Sequence, residues 1–139
     1  MGRVLAVDWG TRRVGVAVSD ETRSLARTLP TLNVISGSQT VEKLVALARE
    51  LQVDTVVLGF PVHMSGREGE GAQRVLRLAA KLEELLPGLR ILTWDERLTS
   101  HQAEEILRER GERLRGNKGR LDQVAAAVLL QCFLDAEGR

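Results

Sequence analysis

The chain has 139 residues, is 43% hydrophobic and 28% charged, and carries 20 Lys and Arg against 19 Asp and Glu. That apolar content is too high for a disordered chain, no apolar run approaches the ~20 residues of a membrane span, and the length suits one domain over residues 1–139. The single cysteine, Cys132, rules out an internal disulfide and a cysteine-only metal knuckle, and with no signal-peptide pattern at the start the chain reads as cytoplasmic.

Val4-Leu5-Ala6-Val7 reads as a buried strand that ends at Asp8. In Val14-Gly15-Val16-Ala17-Val18 valines alternate with small residues, so a second strand follows and the short turn between them makes an antiparallel hairpin. Residues 29–35 are a candidate third strand despite Pro30. Ser38 is a candidate N-cap for a helix whose Val41, Leu44, Val45, Ala48 and Leu51 share one face. Val53 to Phe60 is a strand, Pro61 to Gly71 a loop, and Val75, Leu78, Ala79, Leu82 and Leu86 mark a helix stopped by Pro87-Gly88. Leu89 to Trp94 is a strand, Thr99 and Gln102 open a helix that ends at Gly111, and a last helix runs from about Gly119 to Ala136. This order gives an α/β mixed five-stranded sheet, three antiparallel strands and then two parallel ones, with helices on both faces.

Three carboxylates lack an obvious partner. Asp8 ends an apolar strand, Glu96 follows another, and Asp122 lies one turn into the last helix. With Leu121 set at 0° and about 100° per residue, Val124, Ala125, Val128 and Cys132 fall within about 60° of it, and Asp122 lands between Leu129 and Phe133. A lone buried carboxylate is costly unless a cation, a donor or a metal neutralises it. Should the three converge at one sheet edge, a divalent cation would remove their mutual repulsion. Oxygen ligands without thiolate point to Mg²⁺ or Mn²⁺, and two such ions about 3.5–4 Å apart serve phosphodiester hydrolysis. Each residue also has a plain structural reading: Asp8 as a turn or cap, Glu96 as a surface partner of Arg97, and Asp122 as a complement to the helix dipole.

Four segments in order resemble the YqgF/RuvX family of Holliday-junction-resolvase-like, pre-16S rRNA nucleases. They are Leu5 to Asp20, with Asp8-Trp9-Gly10-Thr11 at its centre; Gly59-Phe60-Pro61 through Met64-Ser65-Gly66; Asp95-Glu96-Arg97-Leu98-Thr99-Ser100; and Lys118 through Leu121-Asp122 to Ala126. The resemblance implies a ribonuclease-H-like fold with catalytic, metal-holding acids at Asp8, Glu96 and Asp122. It implies hydrolysis of RNA or DNA with Mg²⁺ or Mn²⁺, maturation of the 5′ end of the small-subunit rRNA precursor on ribosomal precursor particles, and branched-DNA cleavage as the alternative. The chain departs from relatives at Val62-His63-Met64-Ser65, and Ala125 stands where true junction resolvases carry a further acid.

Arg108, Arg110, Arg113, Arg115, Lys118 and Arg120 face only Glu109 and Glu112 in their segment. Beside Asp122 such a segment suits phosphate clamping and salt-dependent binding. Arg12 and Arg13 follow Asp8, and Arg97 follows Glu96, so the candidate nucleic-acid contacts are Arg12, Arg13, Arg97, Arg115, Lys118 and Arg120. His63 and His101 read as surface or capping residues, Asp20 as a turn residue and Cys132 as core. Two other functions compete. Asp8-x-Gly10-Thr11 also resembles the phosphate loop of the sugar kinase, actin and heat-shock ATPase superfamily, which clamps ATP between two such domains where this chain supplies one. A non-catalytic RNA-binding assembly factor would keep the fold without binding metal. The expected state is a monomer or homodimer with no membrane contact.

Overall fold

The computed structural model describes residues 2–10, 12–60, 69–95 and 118–138, with the side chains of 118–123 outside that description. Strands β1 (Arg3–Trp9) and β2 (Arg13–Ser19) form the expected hairpin, in antiparallel register from Leu5↔Val18 to Trp9↔Val14. Two short strands, β3 (Ala26–Thr28) and β4 (Leu32–Asn33), share the outer edge by pairing with opposite ends of β2. One strand over 29–35 was the expectation, and Pro30 explains the break: it has no N–H to give the ladder. Leu29 N–H still donates to Val16 O at 3.0 Å, and the ladder resumes at Leu32.

Helix α1 (Gly37–Glu50) is capped by Ser36 rather than the expected Ser38. Ser36 has extended backbone and its Oγ accepts Gln39 N–H at 3.2 Å, whereas Ser38 already lies inside the first turn. Strand β5 (Val53–Phe60) has the expected bounds and runs parallel to β1. Helix α2 (Gly69–Leu85) takes in Gly69–Gly71, expected as loop. Their N–H groups belong to a first turn that has no intrahelical partner to lose. Strand β6 (Arg90–Asp95) lies one residue later than expected and runs parallel to β5. The last helix, α3, spans Lys118–Glu137. The expected helix from Thr99 to Gly111 lies outside the described residues.

The sheet order is β3-β2-β1-β5-β6, with β4 beside β2. Alternation along each strand sends Leu5, Val7, Val14, Val16, Val18, Val56 and Leu58 to the face covered by α1 and α2, which add Leu44, Val45, Ala48, Val75, Leu78 and Leu82. Val4, Ala6, Ala17 and Val57 point the other way, under Ala126, Leu129, Leu130, Phe133 and Leu134 of α3. Each fully buried Leu or Val contributes roughly 1.5–3 kcal/mol. The arc through Ala125 and Cys132 is therefore not the one that meets the sheet; both residues are half-buried. The helix is apolar around most of its circumference from Val124 to Phe133, so its period alone does not choose the packed side. Among the described residues no helix is long and apolar enough to cross a membrane.

Candidate metal and nucleic-acid site

Strands β1, β5 and β6 are mutually parallel, so their carboxyl ends lie along one edge of the sheet. Asp8 is the next-to-last residue of β1 and is half-buried. It continues the alternation of Val4 and Ala6, which places it on the α3 side of the sheet. Its antiparallel partner in β2 is Gly15. On its other side Val7 pairs with Leu58 of β5, so the strand continues there to Gly59, and Gly59 pairs with Trp94 of β6. Both glycines are buried. Neither flanking strand thus places a Cβ beside the Asp8 carboxylate, while two strands away Trp94 meets Phe133 of α3 edge-on, with ring centroids 5.8 Å apart. Glycines inside strands mark close approach of another group. Gly15 and Gly59 carry that signal in the sequence itself, and neither is among the candidate residues read from it.

The hairpin turn fixes the end of β1. Gly10 N–H donates to Arg13 O at 3.0 Å, and a Cβ on Gly10 would lie 2.5 Å from that same oxygen. The turn must therefore open to admit a side chain. Gly10→Ala is expected to cost about 1–3 kcal/mol and to displace the Asp8 end of the strand, which thermal unfolding would measure. Wild-type stability in the variant would show that the turn yields freely. Beyond the turn, Arg12 is exposed, and its carbonyl accepts Val34 N–H at 2.8 Å. Arg13 is half-buried and opens β2.

Helix α3 runs against the direction of β1. Its last turn sits at the amino ends of the parallel strands, where Glu137 meets Arg90 at the start of β6 and Arg23 links it to Gly2 and Asp54. The first turns of α3, which include Asp122 and Lys118, are accordingly directed toward the edge that carries Asp8. Of the three candidate ligands, only Asp8 has its side chain among the described residues. For Asp122, Lys118 and Arg120 the backbone alone is described, and Glu96, Arg97 and Arg115 lie outside the description, as do His63 and His101. Among the described residues no three His, Cys, Asp or Glu side chains converge.

Two candidates resolve into structural roles. Asp20 caps its own turn: Oδ1 accepts Ser24 N–H at 2.8 Å and Leu25 N–H at 3.2 Å, and Oδ2 accepts the Thr22 hydroxyl at 2.9 Å. The Ser24 and Leu25 amides and the Thr22 hydroxyl hold its carboxyl below the usual value. The pKa of the Cys132 thiol is pushed up by burial and by Asp135, the reverse of what a reactive cysteine needs.

The family model described as "RuvX: Holliday junction resolvase" matches residues 2–136. A protein of Syntrophus aciditrophicus named "Putative pre-16S rRNA nuclease" is 39% identical over 134 residues, covering 96% of this chain and 89% of its own length. One of the same name from Chloroflexus aurantiacus is 41% identical over 133 residues, covering 96% of this chain and 86% of its own. Among solved structures, T. thermophilus RuvC in complex with a Holliday junction substrate is similar at a TM-score of 0.65 and 14% identity, across 99% of this chain and 97% of that one. That likeness is one of fold, the ribonuclease-H-like mixed sheet. The match to the family model over nearly the whole chain and the identity to full-length relatives together place this chain in the RuvX family.

Proposed function

We propose that this chain is a metal-dependent nuclease that hydrolyses phosphodiester bonds in pre-16S rRNA, with Asp8, Glu96 and Asp122 as its metal-holding catalytic acids. The observation that carries this reading is the setting of Asp8: a half-buried carboxylate at the carboxyl end of a central strand, flanked by Gly15 and followed on β5 by Gly59, at the end of the sheet toward which α3 directs its first turns. Position 122 precedes Ala126, Leu129 and Phe133 by four, seven and eleven residues, which is the helix period of the stripe packed on the sheet. Glu96 follows β6 directly and is in phase, by sequence, with Leu92 and Trp94 of that same face.

An all-oxygen donor set suits Mg²⁺ or Mn²⁺. When bound, a pair of such ions supplies a hydroxide nucleophile at neutral pH and stabilises the leaving oxygen. The protein's own part is to hold the ions on carboxylates, to keep side chains of β2 and β5 away from the scissile phosphate, and to grip neighbouring phosphates with Arg12, Arg13, Arg97, Arg115, Lys118 and Arg120. Lys118→Ala is expected to weaken binding to all sequences alike and to lower the slope of log affinity against log salt by about 0.7–0.9. An unchanged slope in a salt titration would remove Lys118 from the backbone contacts. The name of the relatives supports RNA as substrate; to this reading belong ribosomal precursor particles as partners, a cytoplasmic location, and the whole chain acting as one domain, as monomer or homodimer. The family description favours a second reading, cleavage of branched DNA. Digestion of matched single-stranded RNA, duplex and four-way-junction DNA in Mn²⁺ separates the two: preferential cutting of RNA supports the first, preferential cutting of junctions the second, and cutting of none defeats both.

A further inference from the structure

Helix α3 meets the sheet through an apolar surface that is small on the sheet side. Val4, Ala6, Ala17 and Val57 lie below it, and Ala126, Leu129, Leu130, Phe133 and Leu134 lie above. Such contacts are strong but non-directional, and the small side chains of the sheet offer few ridges to fix how far along its axis the helix sits. Near its end, α3 makes directional polar contacts with the rest of the described chain. Gln131 Oε1 accepts Ala26 N–H at 3.0 Å and its Nε2 donates to Ser24 O at 2.9 Å, so one side chain completes the backbone pairing of the edge segment. Arg23 donates from Nε to Glu137 Oε1 at 3.0 Å and from Nη2 to Oε2 at 3.2 Å. The same guanidinium reaches Asp54 Oδ1 at 2.9 Å, Thr55 Oγ1 at 3.3 Å and Gly2 O at 3.4 Å. Arg23 is only 9% exposed and its backbone is left-handed, at φ 58°. A strained backbone and a buried guanidinium are thus both committed to tying the last turn of α3 to the starts of β1 and β5.

We propose that Arg23, Gln131 and Glu137 are positioning residues that set the height of α3 on the sheet and thereby the level of Asp122 against Asp8. The proposal rests on the assignment of Asp122 as a metal ligand. Asp122 lies fifteen residues before Glu137, a rise of about 22 Å along the helix, and β1 climbs about 17 Å from Arg3 to Asp8. The anchor and the ligand therefore sit at opposite ends of one rigid rod. A slip of half a residue moves the rod by about 0.75 Å, more than the ~0.5 Å that a working site tolerates. The apolar contacts oppose such a slip only through packing, and the directional bonds add partners that fix one position.

The test uses the full chain and Mn²⁺ as the probe, measuring Mn²⁺ affinity by calorimetry and kcat and KM on an RNA substrate. It compares wild type, Asp122→Asn, the double variant Gln131→Ala/Glu137→Ala, and Leu82→Ala, a truncation in α2 on the opposite face. All are assayed well below their unfolding temperatures. The double variant is expected to bind Mn²⁺ about tenfold more weakly and to lose about tenfold in kcat, with KM near wild type, while Leu82→Ala keeps both constants despite its lower stability. Wild-type affinity and kcat in the double variant, with both lost in Asp122→Asn, would overturn the proposal and leave the ligand assignment standing. Equal losses in Leu82→Ala would overturn it too, since the effect would then be one of general stability. Unchanged Mn²⁺ affinity in Asp122→Asn would defeat the ligand assignment and the proposal with it.

Discussion

Asp8→Asn is expected to lose cleavage by roughly a thousandfold, about 4 kcal/mol in barrier, while unfolding near the wild-type temperature. The two parts of this expectation share one cause. Asn has nearly the shape of Asp and keeps a hydrogen-bonding oxygen but no charge, so a half-buried position at the end of β1 accepts it at a smaller desolvation cost than the carboxylate. What disappears is the anionic oxygen proposed to hold a divalent ion. A strand-end Asp with a merely structural role behaves in the opposite way, with stability falling and turnover holding. Single-turnover cleavage in Mn²⁺ beside a thermal melt therefore decides between them. Wild-type turnover in the variant would remove Asp8 from the chemistry and, with it, the proposed site.

The largest effect on stability is expected at Arg23. Arg23→Ala strips Asp54 and Glu137 of their shared cation and leaves Gly2 O and Thr55 Oγ1 without that donor. Breaking a fully buried pair costs about 3–5 kcal/mol. Here the acids keep partial access to water, at 43% and 30% exposure, so the expectation is about 2–3 kcal/mol, or roughly 10 °C in melting temperature. Arg23→Gly should be milder by up to about 1 kcal/mol, because glycine accepts the left-handed backbone at φ 58° without a Cβ penalty. The pH dependence follows from Asp54. Burial alone would raise its pKa, but the Gly2 N–H at 2.8 Å, the Thr55 hydroxyl and the Arg23 guanidinium outweigh that and hold it below the usual carboxylate value. A carboxyl whose pKa is lowered by folding stabilises the fold above its unfolded pKa and loses that contribution as pH falls through the folded one. The wild type should therefore shed this stability only below about pH 4, and Arg23→Ala should show a weaker acid dependence over the same range. Equal melting temperatures for Arg23→Ala and wild type at neutral pH would show that the cluster contributes nothing.

The hairpin, the strand Val53–Phe60 and the alternation of helix and strand after it were legible because each is written in local period. Valines spaced by two and leucines spaced by three and four carry their own geometry. Asp8 was legible for a related reason, as a charge that ends a run otherwise wholly apolar. The family was legible too, since its four motifs are contiguous in sequence. The start of α1 was misplaced because Ser36 and Ser38 offer the same hydroxyl, and only the backbone shows which of them stands outside the first turn. The third strand was misread because a run of suitable residues says nothing about the partner N–H that Pro30 cannot provide.

Chain order by itself determined most of the described elements, the mixed sheet and the family, because these depend on spacing between near neighbours. Folding in three dimensions decided what lies beside what. Gly15 and Gly59 came to lie along the strands that flank Asp8 through pairings that bring together residues distant in the chain. Ala126, Leu129 and Phe133, rather than Ala125 and Cys132, were chosen as the packed side of α3 by the sheet surface they meet. Arg23 found Glu137 across 114 positions. The physical reason is that a hydrogen bond or an ion pair acts over a few ångströms of space, and no local period records which distant residue will occupy that space.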